Sequence, residues 1–277
     1  MAIHPTAVVS PNAEIGKNVE IGPYAVIDDD VRIGDDCFID AHVKIGQYTT
    51  IGPRCRIYFG AFVGAEPQDH RFYKGIQSYT EIGSDTVIRE YVTIHRPPFE
   101  FLKTTIGNHV LLMAFVHIGH DVIIGDRVTI ANNTALSGHV QVGPGAVFSG
   151  CVLVHQFCRI GALAMVGPGA HVGQDIPPFC MLRESNVITG PNTIGLRRAG
   201  MSNEQRLAIR RAIRTFFFEG LNAKNAVGQM ERGENVLPEV HMFVNFIKES
   251  HRGIMPGNPK FVGISDEQRE LIESQTT

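Results

Sequence analysis

The 277-residue chain has no tryptophan, few aromatic residues and no excess of charge of either sign. Lys and Arg together number 25 and Asp and Glu 28, so the formal net charge is −3. A balance of this kind provides no global basic field for nucleic acid and no strongly anionic surface. We therefore expect no nucleic-acid partner.

Cysteine patterns and long apolar runs are also lacking. The five cysteines are odd in number and form no C-x-x-C pair, which disfavours a disulfide framework or a zinc ribbon. The amino terminus lacks the basic stretch and apolar run of a signal peptide. No apolar stretch approaches the roughly 18 residues that a bilayer span needs. These features predict a cytoplasmic protein without a transmembrane segment.

A six-residue repeat of aliphatic side chains dominates the sequence. Small or β-branched residues stand four positions after each aliphatic residue, as at Ala7, Ala13 and Val19. A period of six fits neither an α-helix nor an ordinary strand, but it fits short strands with three corners to a coil. The aliphatic positions include Ile3, Val9, Ile15, Ile21, Ile27, Ile33, Ile39, Ile45, Ile51 and Ile57, and later Ile106, Leu112, Ile118, Ile124, Ile130, Leu136, Val142, Phe148, Val154, Ile160, Val166 and Val172.

The repeat predicts an all-β solenoid, a parallel β-helix of hexapeptide repeats over residues 1–190. Insertions near 66–79 and 95–105 break the period and are predicted to be loops, which often carry function on a rigid scaffold. Cys37, Cys55 and Cys158 occupy the small inward position of the repeat, so we predict inert core thiols.

Helical signals replace the repeat beyond Pro177-Pro178. Ser202 and Gln205 have the spacing of a capping box, which predicts a basic amphipathic helix ending at Gly220. Further helices are predicted after Asn222, near Pro238 and from Ser265. Residues 191–277 are therefore predicted to form a small α-helical domain that covers the open end of the solenoid.

Residues 18 apart should stack on successive coils, at roughly the 4.8 Å spacing of paired strands. The uninterrupted repeat from 106 to 178 allows columns of side chains to be read directly from the numbering. The residues that this arithmetic brings to one outward patch are His117, His120, Asp121, Gly138, His139, His155 and Gln156. A single outward histidine is usually a solvated surface residue, but convergence from successive coils predicts a functional site.

Several chemistries could use such a patch. A zinc site, as in the γ-class carbonic anhydrases, needs imidazoles that converge on one ion. Acetyl transfer from coenzyme A or acyl transfer from acyl carrier protein needs one histidine as a base, and a non-catalytic scaffold needs none. The fold alone cannot choose among these. The spacing of His117 and His120 differs from the His-x₄-His pattern of the carbonic anhydrases, so we expect no metal and no cofactor.

Local strings distinguish these alternatives. The chain contains HIGHD (117–121), ANNTALSGH (131–139), VHQFCRIGA (154–162), QDIPP (174–178) and GLRRAG (195–200), with PQD (67–69) and REYVTIHR (89–96) upstream. With these strings the chain resembles the UDP-N-acetylglucosamine O-acyltransferases over essentially its whole length. The related N-acyltransferases carry an additional domain before their hexads, whereas the hexads begin here at Ile3.

The resemblance implies a left-handed helix and a homotrimer whose sites lie between neighbouring prisms. It also implies transfer of an (R)-3-hydroxyacyl chain from acyl carrier protein to the 3-position of the glucosamine of UDP-N-acetylglucosamine, the first step of lipid A biosynthesis. Whether the acceptor sugar presents a 3-hydroxyl or a 3-amine is left open by the sequence.

Roles for individual residues follow from the same resemblance. His120 is the implied general base, and the amide of Gly138 is the implied donor to the oxyanion. Asp121 is either the group that orients the imidazolium or a solvated turn residue. The implied substrate-binding residues are Gln68, Asp69, His117, His139, His155 and Gln156, with Asn192 and Arg198 for the nucleotide.

Two positions depart from the pattern of the family. Ala199 stands where many members have a second arginine, so fewer phosphate contacts are expected. Pro168 stands where some members have a glycine that admits a long acyl chain. We therefore predict a donor of medium length, below the fourteen-carbon class.

Overall fold

The computed structural model describes residues 2–183, 186–232 and 236–258. Its repeats form short parallel strands that stack into three sheets, and the chain visits the sheets in turn. The result is a left-handed parallel β-helix, as expected, followed by helices.

The strand bounds follow the hexads. The first eleven strands are β1 (Ala2–Ile3), β2 (Val8–Val9), β3 (Glu14–Ile15), β4 (Glu20–Ile21), β5 (Val26–Ile27), β6 (Arg32–Ile33), β7 (Phe38–Ile39), β8 (Lys44–Ile45), β9 (Thr49–Ile51), β10 (Arg56–Ile57) and β11 (Phe62–Ala65). The next four are β12 (Tyr79–Ile82), β13 (Val87–Ile88), β14 (Thr93–His95) and β15 (Lys103–Ile106). The remainder are β16 (Leu111–Leu112), β17 (His117–Ile118), β18 (Ile123–Ile124), β19 (Thr129–Ile130), β20 (Ala135–Leu136), β21 (Gln141–Val142), β22 (Val147–Phe148), β23 (Leu153–Val154), β24 (Arg159–Ile160), β25 (Met165–Val166), β26 (His171–Val172), β27 (Cys180–Leu182) and β28 (Ile188–Pro191).

The register confirms the column arithmetic. Ile118 on β17 pairs with Leu136 on β20, which is 18 residues later. The aliphatic residue of each hexad points into the prism, and most of these residues are fully buried. Cys37, Cys55 and Cys158 are buried in the same core, as predicted.

The corners impose two backbone requirements. The second residue of most turns has a positive φ, for example 53° at Asn18 and 59° at Asp121, a region that non-glycine residues seldom adopt. The glycines that follow the aliphatic residues permit close stacking of coils. A Cβ at Gly34 would lie 2.6 Å from the backbone nitrogen of Pro53 on the next coil. The recurrent Ile-Gly pair thus has a packing origin.

Two loops leave the prism between longer strands. One covers residues 66–78, between β11 and β12, and the other covers residues 96–102, between β14 and β15. Both loops are shorter than the segments in which the repeat is broken. The reason is that β12 and β15 begin at Tyr79 and Lys103, which pair with each other in the sheet. The last residue of β14, His95, also belongs to the sheet.

Four helices follow β28: α1 (Thr193–Arg198), α2 (Asn203–Phe217), α3 (Ala223–Glu231) and α4 (Pro238–Lys248). Ser202 and Gln205 form the predicted capping box. Helix α2 ends one turn before Gly220, which instead adopts φ of 70° in the connection to α3. The helix predicted from Ser265 lies outside the described residues. Within the described ranges, the helices are too short or too polar to cross a bilayer.

Candidate active site

His120 lies at the corner between β17 and β18, where its ring is held from one side. Its Nδ1–H donates to Oδ2 of Asp121 at 2.7 Å. Asp121 is fixed in turn, because its backbone N–H donates to Oγ1 of Thr104 at 2.9 Å. The carboxylate is therefore a held partner rather than a solvated turn group, and Nε2 lies on the other side of the ring.

The loop of residues 66–78 brings a second carboxylate to the open side of this ring. Oδ2 of Asp69 lies 3.8 Å from Nε2 of His120. Arg71 binds the same carboxylate with two nitrogens, at 2.6 Å to Oδ2 and 3.0 Å to Oδ1, and this pair holds the pKa of Asp69 well below its usual range. The guanidinium of Arg71 also lies 4.9 Å from the ring centre of Phe99. Sequence reasoning missed Arg71, although it stands only two residues after Asp69.

Gly138 packs directly against the imidazole. A Cβ at this position would lie 2.7 Å from both Cε1 and Nε2 of His120, so the ring can take this orientation only beside glycine. Gly138 is a buried residue, and in the described part of the chain its backbone N–H donates to no acceptor. A buried donor without a partner is costly. It is available to a ligand oxygen beside His120.

His139 extends the site one coil further. Its ring stands perpendicular to that of His120, with centres 5.1 Å apart, and stacks on Phe157 at 4.6 Å. Burial lowers the pKa of His139, although the nearby Asp121 acts in the opposite direction. The ring is therefore mainly neutral near pH 7. Phe157 shares the column of His139, but its stacking was not anticipated.

A second pair of histidines lies behind the loop. His117 forms a hydrogen bond between Nδ1 and Oγ1 of Thr93 at 2.9 Å, and its ring centre is 5.0 Å from that of His95. Nδ1–H of His95 donates to the carbonyl of Glu66 at 2.7 Å. Burial lowers the pKa of both imidazoles, so both are neutral near pH 7. His95 belongs to the REYVTIHR string but had been given no role.

Other predicted residues lie near the site without touching His120. His155 and Gln156 are exposed on the coil that follows Gly138, and Nδ1 of His155 lies 3.2 Å from the carbonyl of Gln156. Gln68 is exposed beside Asp69 in the loop.

Three further residues lie away from the corner that holds His120. Asn192 is buried as the N-cap of α1, where Oδ1 accepts from the N–H of Gly195 and Nδ2 donates to the carbonyl of Leu163. Arg198 is exposed at the end of α1. Pro168 is exposed in the turn between β25 and β26, which is a different corner from that of His120. A single chain therefore does not bring these three residues to His120.

One group of residues has the composition of a metal site. Ligand atoms of His120, Asp121 and His139 all lie within 4.8 Å of one another. However, the contact between Nδ1 of His120 and Asp121 uses one ligand atom of each residue. The absence of a metal requirement stays a prediction.

Comparisons with known proteins identify the family of the chain. The family model described as UDP N-acetylglucosamine O-acyltransferase, Domain 2, matches residues 175–255, and the bacterial transferase hexapeptide model matches residues 30–65 and 103–138. The acyl-[acyl-carrier-protein]–UDP-N-acetylglucosamine O-acyltransferase of a Sulfurihydrogenibium species is 48% identical over 269 residues, covering 96% of this chain and 99% of the relative. Its counterpart from Thermodesulfovibrio yellowstonii is 42% identical and covers 91% of this chain and 98% of the relative.

Solved structures give the same result. The UDP-N-acetylglucosamine acyltransferase of Francisella novicida has a TM-score of 0.90 at 36% identity and covers 96% of this chain and 98% of its own. The UDP-N-acetylglucosamine acyltransferase of Bacteroides fragilis has a TM-score of 0.88 at 42% identity and covers 91% of this chain and 99% of its own. These similarities do not favour a carbonic anhydrase or a scaffold. The chain belongs to the UDP-N-acetylglucosamine O-acyltransferase family.

Proposed function

We propose that this chain transfers an (R)-3-hydroxyacyl group from acyl carrier protein to the 3-position of the glucosamine of UDP-N-acetylglucosamine, the first step of lipid A biosynthesis. Its relatives are named as acyl-[acyl-carrier-protein]–UDP-N-acetylglucosamine O-acyltransferases. The observation that carries the proposal within the chain is the contact of the His120 ring with Gly138. An imidazole held by Asp121 and an unpaired backbone N–H lie side by side.

The proposed mechanism uses only groups of the chain. Nε2 of His120 takes the proton of the sugar 3-hydroxyl while the oxygen attacks the thioester carbon, and Asp121 stabilises the imidazolium that forms. The N–H of Gly138 donates to the oxyanion of the tetrahedral intermediate. As the intermediate collapses, the C–S bond breaks and His120 returns the proton to the departing thiolate. Asp69, His117 and His139, with the exposed Gln68, His155 and Gln156, are proposed to bind the sugar, pyrophosphate or acyl chain.

The proposed assembly is a homotrimer with closed threefold symmetry. Because Asn192, Arg198 and Pro168 lie apart from His120 within one chain, a neighbouring copy would have to supply them. We assign residues 1–190 to a catalytic β-helix and 191–277 to a helical cap. Both proposed substrates suit a cytoplasmic location.

An exposed row of rings supports contact between copies. Tyr24, His42, Phe59, Tyr91 and Phe115 follow the corner between the first two sheets, and successive centres lie 5.1 to 5.4 Å apart. All five of these residues are exposed. Monomeric proteins rarely expose contiguous apolar surface of this kind.

Mass spectrometry of the products tests the function. Purified protein would receive UDP-N-acetylglucosamine or its 3-amino analogue, together with a series of 3-hydroxyacyl thioesters of acyl carrier protein. An acylated sugar nucleotide is expected, and the analogue arm identifies whether an ester or an amide forms. Transfer is expected to persist with a chelator present. No acylated product from either acceptor would contradict the proposal.

A further inference from the structure

The dipeptide His95-Arg96 joins the two loops of the β-helix to the sheet. Its backbone continues β14, since the N–H of Arg96 donates to the carbonyl of Ala65 at 2.9 Å. Its first side chain holds the start of one loop through the carbonyl of Glu66. The hydroxyl of Thr104, just beyond the other loop, donates to the carbonyl of His95 at 2.7 Å.

Arg96 is a buried cation with unusual partners. Only 6% of the residue is exposed, and its Nη1 donates to the carbonyl of Ile76 at 2.7 Å. The guanidinium lies 5.0 Å from the ring centre of Phe72 and 5.7 Å from that of Tyr48. Across the described ranges no carboxylate lies within ion-pair distance, and burial lowers the pKa of Arg96, although Glu66 acts at longer range to raise it.

Stability alone does not explain this arginine. Removing a charge from water without a paired ion costs free energy, which offsets the hydrogen bond that the guanidinium donates. The guanidinium does, however, hold two residues of the loop 66–78 against the prism, the carbonyl of Ile76 and the ring of Phe72.

The loop that is held in this way carries part of the active site. Arg71 immediately precedes Phe72 and binds the carboxylate of Asp69, which lies 3.8 Å from Nε2 of His120. The corner of His120 is linked to the same dipeptide through Thr104. The N–H of Asp121 donates to the hydroxyl oxygen of Thr104, and this hydroxyl donates to the carbonyl of His95. One short segment thus sets the loop and the catalytic corner relative to each other.

We propose that Arg96 is a positioning residue for acyl transfer: its buried guanidinium fixes the loop 66–78 so that Asp69 and Arg71 stand over His120. Arg96 itself touches no reacting atom. This inference rests on the proposed function, since the consequence of a displaced loop is a loss of transfer.

The variant Arg96→Met tests the inference, because it replaces the cation by an apolar side chain of similar length. We expect a melting temperature within a few degrees of wild type, because removal of the desolvated charge offsets loss of the donor to the Ile76 carbonyl. Hydrogen exchange of residues 66–78 should accelerate about tenfold. Since small misplacement of reacting groups is costly, kcat/KM should fall by about tenfold to a hundredfold. Arg96→Lys keeps the charge and a donor, so its kcat/KM should lie between that of Arg96→Met and that of wild type.

Arg89→Met is the matched control. Arg89 also lies over an aromatic ring, 4.5 Å from the centre of Tyr58, but it is exposed and pairs with Glu90. Melting temperature, loop exchange and kcat/KM should all match wild type in this variant.

The possible outcomes are distinct. Transfer within twofold of wild type in Arg96→Met, or lost transfer with unchanged loop exchange, overturns the positioning role. An inactive wild type would instead overturn the proposed function, while loop exchange would still report whether Arg96 fixes the loop. Should Arg96→Met not fold, Phe72→Leu decides, because it removes only the ring on the loop side. Faster loop exchange and lower kcat/KM are again expected, and their absence overturns the inference.

Discussion

At the residue scale, the two ring nitrogens of His120 have different surroundings. Nδ1 faces Asp121 and Nε2 faces the open side near Asp69. A base arranged in this way should account for much of the rate, so His120→Ala is expected to lower kcat by roughly 10²–10⁴ with the fold intact. Steady-state kinetics and circular dichroism provide the measurement. The matched control is His109→Ala, an exposed corner histidine, and activity of His120→Ala within threefold of wild type would remove the assignment.

Gly138 combines an amide donor with a steric requirement. In Gly138→Ala the amide remains, but the new methyl group would lie 2.7 Å from two ring atoms of His120 and displace the ring. We expect kcat to fall by about 10² or more, comparable to the loss of an oxyanion donor. Gly173→Ala is the control, because no atom lies within 4 Å of a Cβ there. Equal kcat for both variants would show that the His120 ring does not need this space.

Burial of His95 predicts a dependence of stability on pH. Because its pKa is lowered in the folded state, the unfolded chain binds more protons once the pH falls below the ordinary histidine value of about 6.5. The free energy of unfolding should then decrease with falling pH, by at most about 1.4 kcal/mol per pH unit for this group. His95→Asn keeps a donor for Glu66 and removes the titration. Urea unfolding at several pH values between 7.5 and 5.5 gives the free energy of unfolding at each pH. This free energy should change less with pH in the variant than in wild type, and an identical pH dependence would contradict the assignment to His95.

Sequence arithmetic placed the coil residues of the site and failed for those that depend on loops or ring orientation. His120, Gly138 and His139 follow from the 18-residue period, because the coils between 106 and 178 have no insertions. Asp69 came from family resemblance, since no period extends through its loop. The importance of Arg71 could not be predicted, because its contact with Asp69 is set by the shape of the loop.

At the element scale, the same distinction applies to strands and helices. A strand bound is fixed by the inward aliphatic residue of each hexad, so the strands and their register could be predicted. The ends of the loops could not be predicted, because the pairing of Tyr79 with Lys103 extends β12 and β15 beyond the repeat. The start of α2 is encoded locally by Ser202 and Gln205, whereas its end before Gly220 is not.

The turn between β25 and β26 carries the predicted limit on donor length. Each buried methylene contributes about 0.8 kcal/mol, so a groove rewards chains up to its closed end and rejects longer ones. The ring of Pro168 would shorten such a groove by about two or more methylenes relative to glycine. Competition among ten-, twelve-, fourteen- and sixteen-carbon donors should show a preference below fourteen carbons, and Pro168→Gly should shift it upward. A wild-type preference for fourteen or more carbons, or no shift in the variant, would exclude Pro168 as the limit.

At the scale of the whole molecule, the substrate-binding residues implied by family resemblance are divided between corners of the prism. His120 lies between the second and third sheets, whereas Arg198 ends a helix beyond the last coil. In the proposed homotrimer, one substrate would contact both because a second copy supplies one of them. The exposed aromatic corner offers a surface for such a copy. The oligomer is therefore part of the proposed catalytic mechanism.

Mixed oligomers test this division directly. Chains with His120→Ala and chains with Arg198→Ala should each be impaired, the second most clearly at low UDP-N-acetylglucosamine. If each site takes His120 from one chain and Arg198 from its neighbour, random mixing in equal amounts leaves about one quarter of the sites with both residues intact. Co-refolded mixtures, confirmed as trimers by light scattering, should regain about that fraction of wild-type kcat/KM. A site built within one chain regains nothing on mixing beyond the sum of the separate variants, because no chain in the mixture has both residues.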